Sequence, residues 1–136
     1  MYLLIIEIQA FSGLLNLLEI DLSANKLDKI PSSSFPCAPQ LTTLSLRDNP
    51  IHSVPKSAFS SLSHLVKVDL SGCRIAHLEP GAFSGLPRLE RLYLSDNMLA
   101  GVQRVEDTLP VIHGLTLHGN PWTCDCKAKT FRNWLQ

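Results

Sequence analysis

The side chains of this sequence able to do chemistry are five histidines, four cysteines and a scatter of serines. Covalent catalysis needs a nucleophile, a base beside it and a third group that orients the base. His52, His64, His77, His113 and His118 form no such pattern with any serine or cysteine, and no Gly-x-Ser-x-Gly elbow occurs. His77, followed by Leu78 and Glu79, reads as a solvated turn histidine. No glycine loop of the kind that cradles phosphates is present. Cys124 and Cys126 are one residue apart, too close for an easy bond to each other. With His118 they would offer zinc three ligands, but Cys-x-Cys with one histidine is a sparse set for that metal. These residues predict no enzyme, no cofactor and no metal, which leaves binding.

Composition narrows the partner. The chain has 136 residues, 45% hydrophobic and 18% charged, a globular balance with room for a modest core. Lys plus Arg equals Asp plus Glu at 12 each, so no charge excess draws it to nucleic acid or an anionic membrane. No apolar run approaches the ~20 residues of a membrane helix. The apolar start, Met1 to Ile6, stops at Glu7. That is shorter than the roughly 7–15-residue apolar region of a secretory signal, and no basic region precedes it.

The positioning elements show up as a repeat. Phe11, Phe35, Phe59 and Phe83 are each 24 residues apart, as are Ile6, Ile30, Val54, Leu78 and Val102, and Leu3, Leu27, Ile51, Ile75 and Leu99. Each unit reads L-x-x-L-x-L-x-x-N-x-L: Leu17, Ile20, Leu22, Asn25, Leu27, then again from Leu41, Leu65 and Leu89. A fifth unit starts one residue early at Ile112, and Asp107 sits where its phenylalanine is due. The x-L-x-L-x stretch alternates with period two, so it predicts a short strand with one buried face. Such a strand is too short to stand alone, and stacking pairs it in parallel with its neighbours over one continuous core. The column Asn25, Asn49, Cys73, Asn97 and Asn120 marks the turn after each strand, where a buried amide can satisfy backbone groups. Cys73 in that column reads as a buried, inert thiol. Pro31, Pro55 and Pro80 fit an irregular convex arm, where no sheet bond is lost.

These units resemble the leucine-rich-repeat family over nearly the whole chain. The resemblance implies an α/β solenoid, with a curved parallel sheet on the concave face and an irregular or short-helical convex side. Residues 17–120 are then the repeats, and residues 1–16 the back half of a repeat whose strand is missing. Residues 121–136, with Trp122, Cys124, Cys126 and Trp134, resemble the start of the cysteine cap of extracellular members. In the family Trp122 would plug the core, Phe131, Trp134 and Leu135 would lie over it, and the two cysteines would pair with others further on. The expectation is a fragment of a longer secreted or membrane-anchored protein, since such caps need an oxidising compartment. The phrases around Val68–Cys73 and Asn120–Cys126 resemble the insect Kekkon-type group, in which repeats precede an immunoglobulin domain and a membrane span.

Strand side chains that miss the core form the concave surface. They run in three columns: Glu19, Thr43, Lys67, Arg91 and Gly114; Asp21, Ser45, Asp69, Tyr93 and Thr116; Ser23, Arg47, Ser71, Ser95 and His118. Arg47, Lys67, Asp69, Arg91, Tyr93 and His118 are the candidate contacts for a protein ligand or receptor, centred on Tyr93 with Arg91 and Arg47. The alternative is an ordinary solvated sheet face. The predicted role is recognition by a receptor or adhesion ectodomain. Two alternatives stand beside it: a secreted matrix protein, or a truncated product without its own function.

Overall fold

The computed structural model describes residues 16–123. In chain order the strands are β1 (Glu19–Asp21), β2 (Thr43–Ser45), β3 (Ser53–Val54), β4 (Lys67–Asp69), β5 (His77–Leu78), β6 (Arg91–Tyr93) and β7 (Gly114–Thr116). The long sheet runs β1-β2-β4-β6-β7, all parallel, and pairs each residue with the one 24 positions on. The last pairing, Arg91 with Gly114, absorbs the residue missing from the fourth coil. Each strand has an apolar middle between polar flanks, so its centre turns inward: Leu44, Val68 and Leu92 are fully buried.

Backbone pairing continues past the strands. Leu22, Leu46, Leu70 and Leu94 donate their N–H to the next coil at 2.8–3.0 Å. Ala24, Asp48, Gly72 and Asp96 do the same at 2.9–3.1 Å while turning left-handed, with φ from 56° to 68°. That conformation costs an L-residue energy, and glycine or aspartate at four of the five column positions (Gly119 is the fifth) lowers the cost. At Gly72 there is a second reason, since a Cβ there would collide with the Asp48 carboxylate of the preceding coil.

The core lies between this sheet and the convex arm. Phe35, Phe59 and Phe83 stack with centroids 5.8 and 6.0 Å apart and near-parallel planes. Ser32–Cys37 forms a 3-10 helix, and β3 and β5 pair as a second small parallel sheet through Val54 and Leu78. The convex arm is thus more regular than the proline spacing suggests. Where the phenylalanine column breaks, a one-turn helix α1 (Val105–Thr108) takes over, burying Val105 while Leu109 follows it into the core. Asp107 stays exposed, and its carbonyl accepts the Gly81 N–H at 2.9 Å.

The asparagine column fastens coil to coil. Asn49 accepts from Leu27 N at 3.2 Å and donates to Leu22 O at 3.0 Å and Leu46 O at 2.8 Å. Asn97 accepts from Ile75 N at 3.1 Å and donates to Leu70 O at 2.9 Å and Leu94 O at 3.1 Å. Asn120 serves Leu99 N, Leu94 O and Leu117 O in the same way. Cys73 breaks the series. Its thiol donates to Leu46 O at 3.3 Å, but Ile51 N, left without an amide oxygen, bonds Asn49 O at 2.8 Å instead. Burial pushes the Cys73 thiol pKa up, which favours its protonated form. Cys73→Asn is therefore expected to stabilise the chain by about 0.5–1.5 kcal/mol, because the neighbouring coils already hold an amide in this geometry. Urea titration checks it, and a lower midpoint would show that the third coil cannot take the larger side chain.

At the far end Trp122 packs partly buried against the core and donates its indole N–H to Leu117 O at 2.9 Å. Thr123 N bonds Ala100 O at 2.9 Å. Cys124, Cys126, Phe131, Trp134 and Leu135, and all but the last residue of the repeat half expected over residues 1–16, lie outside the described residues.

Candidate protein-recognition face

The sheet register places the concave columns as the 24-residue spacing lays them out. Glu19, Thr43, Lys67, Arg91 and Gly114 are successive cross-strand partners, and so are Asp21, Ser45, Asp69, Tyr93 and Thr116. The third column is less accessible than the alternation implies, since Ser71 and Ser95 are buried.

Four candidate residues come together on β4 and β6. Lys67 and Arg91 stand opposite each other in register, and so do Asp69 and Tyr93. The Lys67 Nζ lies over the Tyr93 ring, 5.5 Å from its centroid, where the ring quadrupole attracts a cation. Asp69 is turned away, its Oδ1 accepting from Ser71 N at 3.0 Å and from the Ser71 hydroxyl. Asp21 repeats the arrangement by accepting from Ser23 N at 2.9 Å. The Ser23 hydroxyl, and then the Ser23 N–H, hold the Asp21 carboxyl below the usual carboxylate range. Gly114 makes room for Arg91, since a Cβ there would sit 2.8 Å from Arg91 Cγ and 2.7 Å from Glu90 O.

The remaining candidates stand apart. Arg47 forms an exposed ion pair with Asp48 at 3.5 Å, and β4 lies between its strand and that of Tyr93. His118 is exposed at the edge of the last coil, where its carbonyl accepts from Asp96 N at 2.9 Å. Residue columns alone do not show that each Asp-x-Ser pair ties up its own carboxylate, although that spacing is a recognisable side-chain-to-backbone turn. Nor do they show that Thr116 Oγ1, beside Tyr93 in register, is buried without a hydrogen-bond partner. An apolar recess also opens at the first coil, lined by Ile20, Leu22, Pro31, Ser34, Phe35 and Leu41. Among the described residues no group of three potential metal ligands occurs, and no helix is long and apolar enough to cross a membrane.

A family model described as leucine rich repeat matches residues 2–51 and 39–99. The chain belongs to the leucine-rich-repeat family. The described coils up to residue 99 lie within its repeats, and the fold is an α/β solenoid with a parallel sheet that β7 extends. Among solved structures, the repeats superpose on the crystal structure of a TLR13–ssRNA13 complex with a TM-score of 0.72 and 32% identity, over 85% of this chain and 16% of that one. Among curated proteins, immunoglobulin superfamily member 10 of Homo sapiens is 47% identical over 34 residues, and that of Mus musculus 52% over 29. The matched stretches are 25% and 21% of this chain and 1% of each relative, so the leucine-rich repeats here span a small fraction of those proteins.

Proposed function

We propose that this chain is a non-catalytic protein-recognition module whose concave face makes the contact through Lys67, Asp69, Arg91 and Tyr93, with Arg47 and His118 at its margins. The carrying observation is the cluster on β4 and β6: an aromatic ring, two cations in register and a carboxylate occupied by its own serine. Tyr buries a large area with few rotatable bonds, and Arg adds a planar fork of donors, which is why both are enriched where binding energy concentrates. The resemblance to an immunoglobulin-superfamily protein supports a place in a cell-surface receptor or adhesion ectodomain. The Asn-Pro-Trp-x-Cys-x-Cys phrase at residues 120–126 supports reading residues 121–136 as the start of a cysteine cap. The structural neighbour was crystallised with an RNA, but equal numbers of acidic and basic residues argue for a protein partner here.

The test is a binding screen of the chain against a panel of recombinant extracellular domains, repeated with Arg91→Ala plus Tyr93→Ala. The pair is expected to lower affinity for any hit at least about thirtyfold, with the melting temperature unchanged. Undiminished binding by the double variant would move the interface off this face.

A further inference from the structure

Apart from Asp69, which is engaged by Ser71, and Arg47, which pairs with Asp48, the charged side chains of the concave columns fall in two blocks. Glu19 and Asp21 stand on β1, at one edge of the described sheet, where Glu19 is exposed and Asp21 keeps its charge while accepting from Ser23 N. Lys67 and Arg91 stand on β4 and β6, directly opposite one another. Between the blocks β2 presents the uncharged Thr43 and Ser45. Like charges facing each other across a strand pair oppose pairing, so a sheet that keeps them has a use for them or neutralises them. Among the described residues neither cation reaches a carboxylate: the ion pair there is Arg47 with Asp48, and Asp69 is turned to Ser71.

We propose that the concave face takes a protein segment charged in the opposite order, with a carboxylate lodged between Lys67 and Arg91 beside the Tyr93 ring and a cationic side chain over Glu19 and Asp21. This deepens the recognition reading above and rests on it. A carboxylate suits the first site because Arg91 offers a planar fork of donors and Lys67 a compact ammonium, both favouring charge-assisted hydrogen bonds. The Tyr93 ring already holds the Lys67 head in place, so less side-chain freedom is lost on binding. Strands about 4.8 Å apart set the two blocks roughly 10–14 Å from each other, the span of three or four extended residues. A polyanion such as RNA would have to lay phosphates across Glu19 and Asp21, so the split disfavours it.

The probes are two short capped peptides of identical composition and a single-stranded oligoadenylate, each titrated into the full 136-residue chain at low salt. One peptide carries two arginines at one end and two glutamates at the other across a glycine–serine spacer; in its isomer the charges alternate. Amide shifts in β1, β4 and β6 are the readout. The block peptide is expected to bind at least about fivefold more tightly than the isomer, and to lose that margin when salt screens the charges. Lys67→Gln with Arg91→Gln should abolish the preference without changing the melt. Charge inversion at all four positions (Glu19→Lys, Asp21→Lys, Lys67→Glu, Arg91→Glu) should leave the block peptide able to bind only in the reversed direction, read from a spin label on one end.

Equal binding of the isomers, tighter binding of the oligoadenylate, or no shift at millimolar peptide would each overturn the proposal. Shifts on the concave strands that ignore charge order would leave the broader recognition reading standing. Shifts confined to β3 and β5 on the convex side would sink both.

Discussion

Phe59→Ala is expected to lower the unfolding free energy by about 3–5 kcal/mol, the largest effect of any single truncation in the convex arm. The ring is fully buried and sandwiched between Phe35 and Phe83, so its removal opens a cavity flanked by two faces that have lost their stacking partner. The coils contact only their neighbours, so collapse from elsewhere cannot refill the space. Domains of this size have roughly 5–15 kcal/mol of stability, so the variant should sit near its unfolding threshold at 37 °C. Guanidinium titration measures the loss, and a cycle with Phe83→Ala isolates the ring–ring coupling. A loss below about 1.5 kcal/mol would mean that the convex arm contributes little and that the sheet side carries the fold.

Replacement of Asn97 by leucine is expected to cost about 2–4 kcal/mol although the volume hardly changes. The amide is buried, and it is the acceptor for Ile75 N and the donor to Leu70 O and Leu94 O. Leucine leaves the Ile75 N–H and the Leu70 carbonyl without the partner that Asn97 gives them, while Leu94 O keeps Asn120, and each buried unpaired group is expensive. Because the bonds cross from one coil to the next, amide exchange should quicken at Ile75 as well as in the variant's own coil. Exchange restricted to the variant's coil would show that the column braces single turns rather than joining them. Cys73 provides a natural comparison, since there the chain already manages with a thiol and reroutes Ile51 N to Asn49 O.

The contrast between these two positions and the concave cluster shows where sequence reasoning reaches. Phe59 and Asn97 were legible because each belongs to a column with a fixed step and each coil meets the same surroundings as the one before. The register Lys67–Arg91 and Asp69–Tyr93 was legible for the same reason. Residue type alone groups Arg47 with Tyr93, and the fold separates them by a strand. Ser71 and Ser95 alternate as outward residues yet are buried, being short side chains where the chain bends into the left-handed turn, whereas the longer Arg47 and His118 at the equivalent positions reach solvent.

The amino-acid sequence by itself determined the period, the parallel pairing, the core columns, the asparagine ladder and the family, because all of these follow from apolar and amide residues recurring at one spacing. Only the tertiary structure decided which polar side chains are free to meet a partner. Lys67 leans over Tyr93, Asp69 and Asp21 turn to their own serines, Arg47 pairs with Asp48, and Arg91 lies over Gly114. Each of those choices is a contest among long, flexible side chains for neighbours on adjacent coils. Its outcome depends on distances of a few ångströms across strands, which no spacing along the chain encodes.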